Sequence, residues 1–466
     1  MVRHGVLLAA CMALASMISA VAVHVTVFRN GESTGGVPVD LSEAHVPSGL
    51  ELAQYLSTLV PVDGLYLDET KTTTDTIGDR VFTGKGVLVS SFDDIEENDR
   101  LYIVGRGLHF VWPFVEFGHR VSLQSTQSPT GKPITLESFN DSPRVFLVHD
   151  FFTEEEADGL IERILSIDHE LNKLQRSGVG PRQSGQKVHS SVRTSENAFD
   201  SESPIAVTIN KRAFDLLRIG EFQGDMADGL QLLRYKQKQA YIPHNDYFSE
   251  GATRDWNWNP KSGGSNRFAT VFLYLSNVTR GGQTVFPLAN MPPGVAHSTP
   301  PTDDEMELFE KGSWEYKMVK QCYSKLASYP RKAHAVLFYS QKGNGEVDPM
   351  SEHGGCPVLE GTKWGANLWV WNKRRHGLDA NKFSMGFANN LDVPVDLYWS
   401  TTFMAHLPPR TKMNFQTYDG HEWTFKDAEG NVLLVHRATS NAGDNQVVAV
   451  PAETQADDAA SSRDDL

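Results

Sequence analysis

Residues 230–372 carry a succession of short apolar runs: LQLLRYKQ, AYIPHNDYF, FATVFLYLS, TVFPL, HAVLFYS and NLWVWN. Each is too short for a helix of ordinary length and rich in the β-branched and aromatic residues that suit a pleated, half-buried surface. Strands of this kind cannot stand alone; they have to pair and bury a common face. Two helical segments precede them. RVFLVHDFF reads as a strand, and the T-E-E-E run that follows sets Thr153 as N-cap with Glu156 three residues on, a capping box. Leu160, Ile161, Ile164 and Leu165 continue at helical spacing, and a second helix is expected over 203–217. Residues 172–201 are polar and loop-like. Strands after helices predict an α+β fold with a β-sandwich or barrel at its centre.

The flanks add smaller units. Arg3 precedes an uncharged apolar segment over 5–23 that ends near the small-residue run Ala20-Val21-Ala22, so residues 1–25 are expected to be a signal peptide or a signal-anchor giving single-pass membrane association. Gly, Ser and Pro over 26–50 suggest a linker. GVLVSSF, RLYIVG, HFVWPF and RVSLQ suggest a small β-rich domain over 51–140, to which the sequence assigns no function. The polar stretch 441–466 reads as a disordered tail. A net charge of −15 with no basic cluster argues against a nucleic-acid partner. With Cys11 inside the apolar segment, Cys322 and Cys356 remain, two thiols that tend to pair in an oxidising compartment. Asn277 and Asn140 open glycosylation sequons, the latter followed by Pro143. The terminal RDDL is similar to a KDEL-type retrieval signal, with Asp465 where Glu is usual. These features predict a glycoprotein of the endoplasmic reticulum lumen or the Golgi.

The chemistry starts at His244 and Asp246, two residues apart in a β-prone stretch, where i and i+2 share a face. Alone, H-x-D is too short to define a site. His353, in HGGCP, offers a third ligand from a distant strand. Two histidines and a carboxylate on one face leave coordination positions open, the facial triad of non-haem Fe(II) oxygenases; zinc would accept the same three with a water. Lys363 stands in the otherwise apolar KWGANLWVW, where burial is costly unless the ammonium meets an anion. A dicarboxylate held by the metal at one end and by Lys363 at the other meets that need.

In this order the motifs resemble those of the 2-oxoglutarate- and Fe(II)-dependent prolyl 4-hydroxylases of the plant, algal and collagen type. FLVHDFFTEEEADGLI, SSVRTSENAF, GLQLLRYKQKQAYIPHNDYF, RFATVFLYLSNVTRGGQTVFP and HGGCPVLEGTKW carry the resemblance, over residues 144–372. It implies a double-stranded β-helix (jelly-roll) catalytic domain over 141–375 with flanking helices. It also implies Fe(2+) on His244, Asp246 and His353, with the distal carboxylate of 2-oxoglutarate on Lys363 beside Tyr235 and Thr284. Arg267, Tyr241 and Trp369 fall at family positions near the peptide groove, and Cys322 and Cys356 resemble the family's disulfide pair. The implied reaction consumes O2 and 2-oxoglutarate, releases succinate and CO2, hydroxylates C4 of a proline and draws on L-ascorbate. The implied substrate is a proline-rich peptide or protein of the secretory pathway, in the preformed polyproline II shape. Trp371 departs from the pattern, because the family usually has His there. The loop 251–266 is longer than usual, and its Trp256 and Trp258 are candidates to line the groove.

A second resemblance follows. FANNLDVPVDLYWS and LPPRTKMNFQTYDGHEWTFKDAEGNVLLV look like the β domain of the von Hippel–Lindau tumour suppressor, implying a small β domain over 380–440 that binds hydroxyproline. Trp399, Thr417, His421 and Trp423 fall at its pocket positions. The pocket tyrosine has no counterpart, and Met404 lies nearby. Two rival readings stay open: a catalytically inactive binder of proline-rich or hydroxyproline-containing peptides, and a zinc hydrolase with no role for Lys363.

Overall fold

The computed structural model describes residues 22–62, 77–123, 128–167, 173–177, 192–248, 265–295, 297–374, 383–399, 402–417, 421–438 and 446–450. Most of the apolar segment 5–23, the tryptophans of the 251–266 loop and the RDDL terminus lie outside them. No helix among the described residues is long and apolar enough to cross a membrane.

Alternation decides the first unit. In Ala22–Arg29, Val25 and Val27 point inward, and in Val37–Ser42 so do Val39 and Leu41. The two strands pair antiparallel, and with Arg100–Gly105 and Gly78–Thr83 they form a four-stranded sheet. Helix Gly49–Ser57, capped by Ser48, covers one face of it. The expected linker over 26–50 is therefore two strands and the start of a helix. Its Gly, Ser and Pro residues fall in the turn between those strands, within the second strand and at the helix start, where composition misleads.

The expected domain over 51–140 divides too. Its later strands, Arg120–Leu123 and Ile134–Asn140, join the catalytic sheet. Phe28, Phe82 and Tyr102, from the outer face of the N-terminal sheet, share one core with Phe110 and Trp112 and with Leu160, Phe214, Val271 and Leu368 of the catalytic unit. Trp112 Nε1 donates to the Leu216 carbonyl at 2.7 Å, and Arg144 Nη1 donates to the carbonyls of Gly31 and Trp112. The N-terminal sheet is thus welded to the core of the catalytic unit.

The catalytic unit is a sandwich. Nine strands pair antiparallel throughout, with Val145–His149, His334–Tyr339, Arg267–Tyr274, Lys363–Trp371 and Leu230–Tyr235 adjacent in that order. The polar segment read as a loop over 172–201 contributes the edge strands Gln175–Arg176 and Glu196–Asp200. Helices Glu154–Ser166 and Pro204–Leu216 lie against the outer face, the first with its Thr153/Glu156 capping box. Period-two alternation then sorts the central strand. Ala269, Val271 and Leu273 pack toward the helices, while Phe272 and Tyr274 join the interior with Phe286 and Leu326 of a second, four-stranded sheet. That sheet consists of Tyr241–His244, His353–Gly355, Thr284–Phe286 and Leu326–Ser328. The architecture is the jelly roll expected, and the site sits between its sheets.

Beyond it, Thr402–Leu407, Val395–Trp399, Glu422–Lys426 and Val432–Arg437 form one sheet; Phe383–Asn389, Thr411–Thr417 and Gln446–Val450 form another. Gln446–Val450 pairs parallel with Phe383–Asn389, and Val450 is buried. The C-terminal unit therefore runs past 440 to 450, into the expected tail, because QVVAV carries enough apolar surface to pack once a neighbouring strand is present.

Candidate active site

The strand bearing His244 pairs with the strand bearing His353, with the two histidines directly opposite. Their ring centroids are 4.6 Å apart. Asp246 does not share a strand face with His244; the strand ends at His244 and the carboxylate comes from the turn that follows. It still reaches both rings, with Asp246 Oδ1 3.6 Å from His244 Nε2 and Oδ2 3.5 Å from His353 Nε2. One ligand atom from each residue lies within 4.8 Å of the others, the spacing that lets three side chains meet on one ion.

The tautomers are set by the backbone. His244 Nδ1 lies 2.9 Å from the Ile242 carbonyl and His353 Nδ1 3.0 Å from the Ser351 carbonyl. A carbonyl only accepts, so each Nδ1 carries the proton and each Nε2 presents its lone pair to the common point. Burial, eased in part by Asp246, pushes His353 down to about 4, so the ring is neutral as a metal requires. Burial would raise the Asp246 carboxyl, but His353, His244 and Arg267 outweigh it and hold the group well below the usual carboxylate range. Thr270 Oγ1 donates to Asp246 Oδ2 at 2.6 Å and fixes the carboxylate from the large sheet.

Lys363, 1% exposed, opens the strand Lys363–Trp371. Its Nζ lies 4.8 Å from the Phe272 ring centroid and 5.4 Å from those of Tyr235 and Tyr274. Among the described residues no carboxylate forms an ion pair with it, and burial lowers its pKa to about 7. Thr284 and Tyr235 are buried beside the same aromatics. The Tyr274 hydroxyl donates to Thr284 Oγ1 at 2.9 Å, and the Tyr235 hydroxyl meets Ser195 and Arg193. Gly282, beside the Lys363 side chain, takes φ +72, a left-handed conformation that favours glycine. A buried ammonium with no counter-charge among the described residues, ringed by aromatic side chains, fits a carboxylate; two imidazole nitrogens and one carboxylate oxygen fit a divalent iron with positions to spare.

The other candidates fall into two groups. Tyr241 stacks on His244 at 3.8 Å and lies under the Arg193 guanidinium at 4.6 Å. Arg267 lies 3.7 Å over the Trp369 ring, pairs with Asp228 at 2.9 Å and donates to the Asp246 carbonyl at 3.3 Å. Cys322 and Cys356 form a disulfide three residues past His353. In the C-terminal unit, Trp423 Nε1 donates to Thr417 Oγ1 at 2.9 Å, which lies 3.3 Å from His421 Nδ1, and the Trp399 and His421 rings are 4.7 Å apart. Asn277 is exposed, whereas Asn140 Nδ2 donates to the Pro143 carbonyl. Thr270, Tyr274, Asp228 and Arg193 were not among the residues singled out from the sequence as site positions. Arg193 lay in a quoted motif, and Thr270 and Tyr274 are indistinguishable in sequence from ordinary strand formers.

Jelly roll, facial triad and anion-seeking lysine define an oxygenase dependent on iron(II) and 2-oxoglutarate. A model of the 2OG-Fe(II) oxygenase superfamily matches residues 230–371. "Probable prolyl 4-hydroxylase 3" of Arabidopsis thaliana is 37% identical over 231 residues, 49% of this chain and 69% of that relative. "Prolyl 4-hydroxylase 2" of the same plant is 36% identical over 252 residues, 53% of this chain and 74% of the relative. The viral collagen prolyl hydroxylase of Paramecium Bursaria Chlorella virus-1, solved as a 2OG complex, is similar at 19% identity and TM-score 0.31, over 49% of this chain and 95% of its own. The chain belongs to the prolyl 4-hydroxylase family: it is a dioxygenase using iron(II) and 2-oxoglutarate, with ascorbate typical of the family, and its reaction is prolyl hydroxylation.

Proposed function

We propose that this chain 4-hydroxylates prolines in extended, proline-rich segments of secretory proteins, with His244, Asp246 and His353 holding the iron and Lys363 holding the far carboxylate of 2-oxoglutarate. The convergence of the triad in the same sandwich interior as an unpaired buried lysine carries the reading. Iron and 2-oxoglutarate, when bound, would use O2 to turn a C–H bond of the proline ring into C–OH, one oxygen atom going to the proline and the other to succinate, with CO2 released. The chain supplies position and dryness. His244 and His353 keep their protons on Nδ1 and their lone pairs toward the metal. Thr270 holds the Asp246 carboxylate in place. Tyr274 hydrogen-bonds to Thr284 and holds its hydroxyl in the interior that Lys363 shares. Phe286 and Phe338 pack around His353 and keep water out. Arg267, Trp369 and Tyr241 border this centre and make the peptide groove.

The experiment is incubation of proline-rich peptides with the protein, Fe(II), 2-oxoglutarate and ascorbate, followed by mass spectrometry that locates added oxygen. Oxygen on C4 of proline with matching succinate release is expected. Release that survives substitution of zinc for iron, or that is unchanged in Lys363→Ala, would overturn the assignment.

A second reading concerns the C-terminal unit, and the gathering of Trp399, Thr417, His421 and Trp423 supports it. We propose that this cluster binds hydroxyproline, so that tethering raises the local concentration of partly hydroxylated chain. Calorimetry with hydroxyprolyl and prolyl versions of one peptide decides the matter; equal or absent binding sinks it. The disulfide and the exposed sequon at Asn277 support a lumenal site of action.

A further inference from the structure

Trp371 closes the strand Lys363–Trp371 and is almost fully buried. A buried indole N–H needs an acceptor. Trp371 Nε1 finds one 3.2 Å away in Asp228 Oδ2. The same oxygen receives Arg267 Nε at 3.0 Å and Nη2 at 2.9 Å. Arg267 is then held on every side. Its guanidinium lies 3.7 Å from the Trp369 ring centroid and 4.9 Å from that of Phe248, and Nη1 donates to the carbonyl of the ligand Asp246. Phe248 in turn stacks on Trp371 at 5.7 Å. The indole therefore touches the arrangement twice, through its N–H at Asp228 and through its ring at Phe248. Chain geometry explains the convergence: Trp369 and Trp371 are alternate residues of one strand, and Arg267 sits directly opposite Trp371 on the next.

We infer that Trp371 is a positioning residue for the peptide groove. It shares Asp228 with Arg267 and so fixes the angle at which the guanidinium faces the substrate chain. Arg267 places two donors on Asp228 Oδ2, and the buried, rigid indole adds a third to the same oxygen. Histidine, shorter and titratable, would not reproduce this contact in the same place. The inference rests on the reading that Arg267 borders the peptide groove.

The test uses the full chain loaded with zinc and 2-oxoglutarate, so that affinity is read without turnover. The probe is a fluorescent oligoproline peptide. Trp371→Phe keeps an aromatic ring and removes the N–H. Its peptide affinity is expected to fall about fivefold to tenfold, the order of one hydrogen bond to a charged group, with 2-oxoglutarate affinity unchanged. In an Asp228→Ala background the same substitution is expected to cost nothing further, because the shared acceptor is already gone. Additive losses in the two variants, or equal losses of peptide and 2-oxoglutarate affinity, would overturn the inference, since simple loosening of the fold produces that pattern. Arg267→Ala separates the two levels. If it weakens peptide binding while Trp371→Phe does not, the inference fails and the groove assignment stands; if it leaves peptide binding intact, both fall.

Discussion

Thr270 Oγ1 and Asp246 Oδ2 are 2.6 Å apart and join the two sheets at the metal site. Thr270 belongs to the large sheet; Asp246 belongs to the turn after a strand of the small one. The bond orients the one ligand that no regular element supports. Thr270→Val keeps the shape of the side chain and removes the donor. The expected result is a loss of about 10- to 100-fold in metal affinity, the usual effect of removing a partner behind a ligand. Thr270→Ser keeps the hydroxyl and should stay close to wild type. Anaerobic cobalt(II) titration followed by absorbance measures both; a Val variant that binds as tightly as wild type would remove Thr270 from the site.

With Lys363 as the proposed partner of the far carboxylate, 2-oxoglutarate binding should weaken as pH rises. Burial lowers its pKa to about 7 in the free protein, and a bound carboxylate raises it again. Below pH 7 the ammonium is present before the ligand arrives. Above pH 7 binding must take up a proton, so apparent affinity should weaken with rising pH, by at most about tenfold per unit. Calorimetry of the zinc-loaded protein in buffers of different ionisation enthalpy should show proton uptake at pH 8 and much less at pH 6. Lys363→Met should lose the pH dependence and about a hundredfold or more in affinity, since the ligand's carboxylate is then buried unpaired.

What could be read from the sequence follows from how polar residues interrupt apolar patterns. His244, Asp246, His353 and Lys363 stand out because each is a titratable residue at or just beyond the end of a β-prone run, in an order that the family resemblance shares. Helix Glu154–Ser166 announces itself through its capping box. Thr270 and Tyr274 do not stand out, because a threonine or tyrosine in FATVFLYLS satisfies β propensity without any functional reason. The strands Ala22–Arg29 and Gln446–Val450 were hidden for another reason. Each is a short apolar segment beside a polar one, and only long-range pairing tells such a segment from a linker or tail. Which face of each strand meets the metal is likewise a matter of register, which no local pattern states.

The N-terminal sheet should prove inseparable from the enzyme. Trp112 is 1% exposed, lies edge-on to Phe110 at 5.1 Å and bonds to the Leu216 carbonyl. Asn30 donates to the carbonyls of His109 and Gly343 and accepts from the Val111 N–H, tying the N-terminal sheet to a catalytic loop. Trp112→Ala removes a large side chain from the shared core and should cost about 3–5 kcal/mol. A fragment limited to 141–375 loses that core and two strands of the large sheet, and should be insoluble or molten. Denaturant unfolding monitored by tryptophan fluorescence tests the first point and near-ultraviolet circular dichroism the second; a fragment with native near-ultraviolet signal would show that the sheet is only an appendage.

The two sequons should differ in use if the chain passes through the secretory pathway. Asn277 is exposed, and its amide oxygen accepts the Lys332 N–H at 3.0 Å, leaving Nδ2 without a partner among the described residues. Asn140 is the last residue of a paired strand, and its Nδ2, the atom a glycan would join, donates to the Pro143 carbonyl at 2.9 Å. Attachment there would have to break that bond and push aside the turn that closes the hairpin with Val145–His149. Expression in a secreting eukaryotic host should therefore give a glycan on Asn277 and none on Asn140. Peptide mass spectrometry before and after glycosidase treatment reads both sites, and Asn277→Gln should remove the mobility shift entirely. A glycan on Asn140 would mean that modification precedes formation of the turn, and an unmodified Asn277 in secreted protein would count against the lumenal assignment.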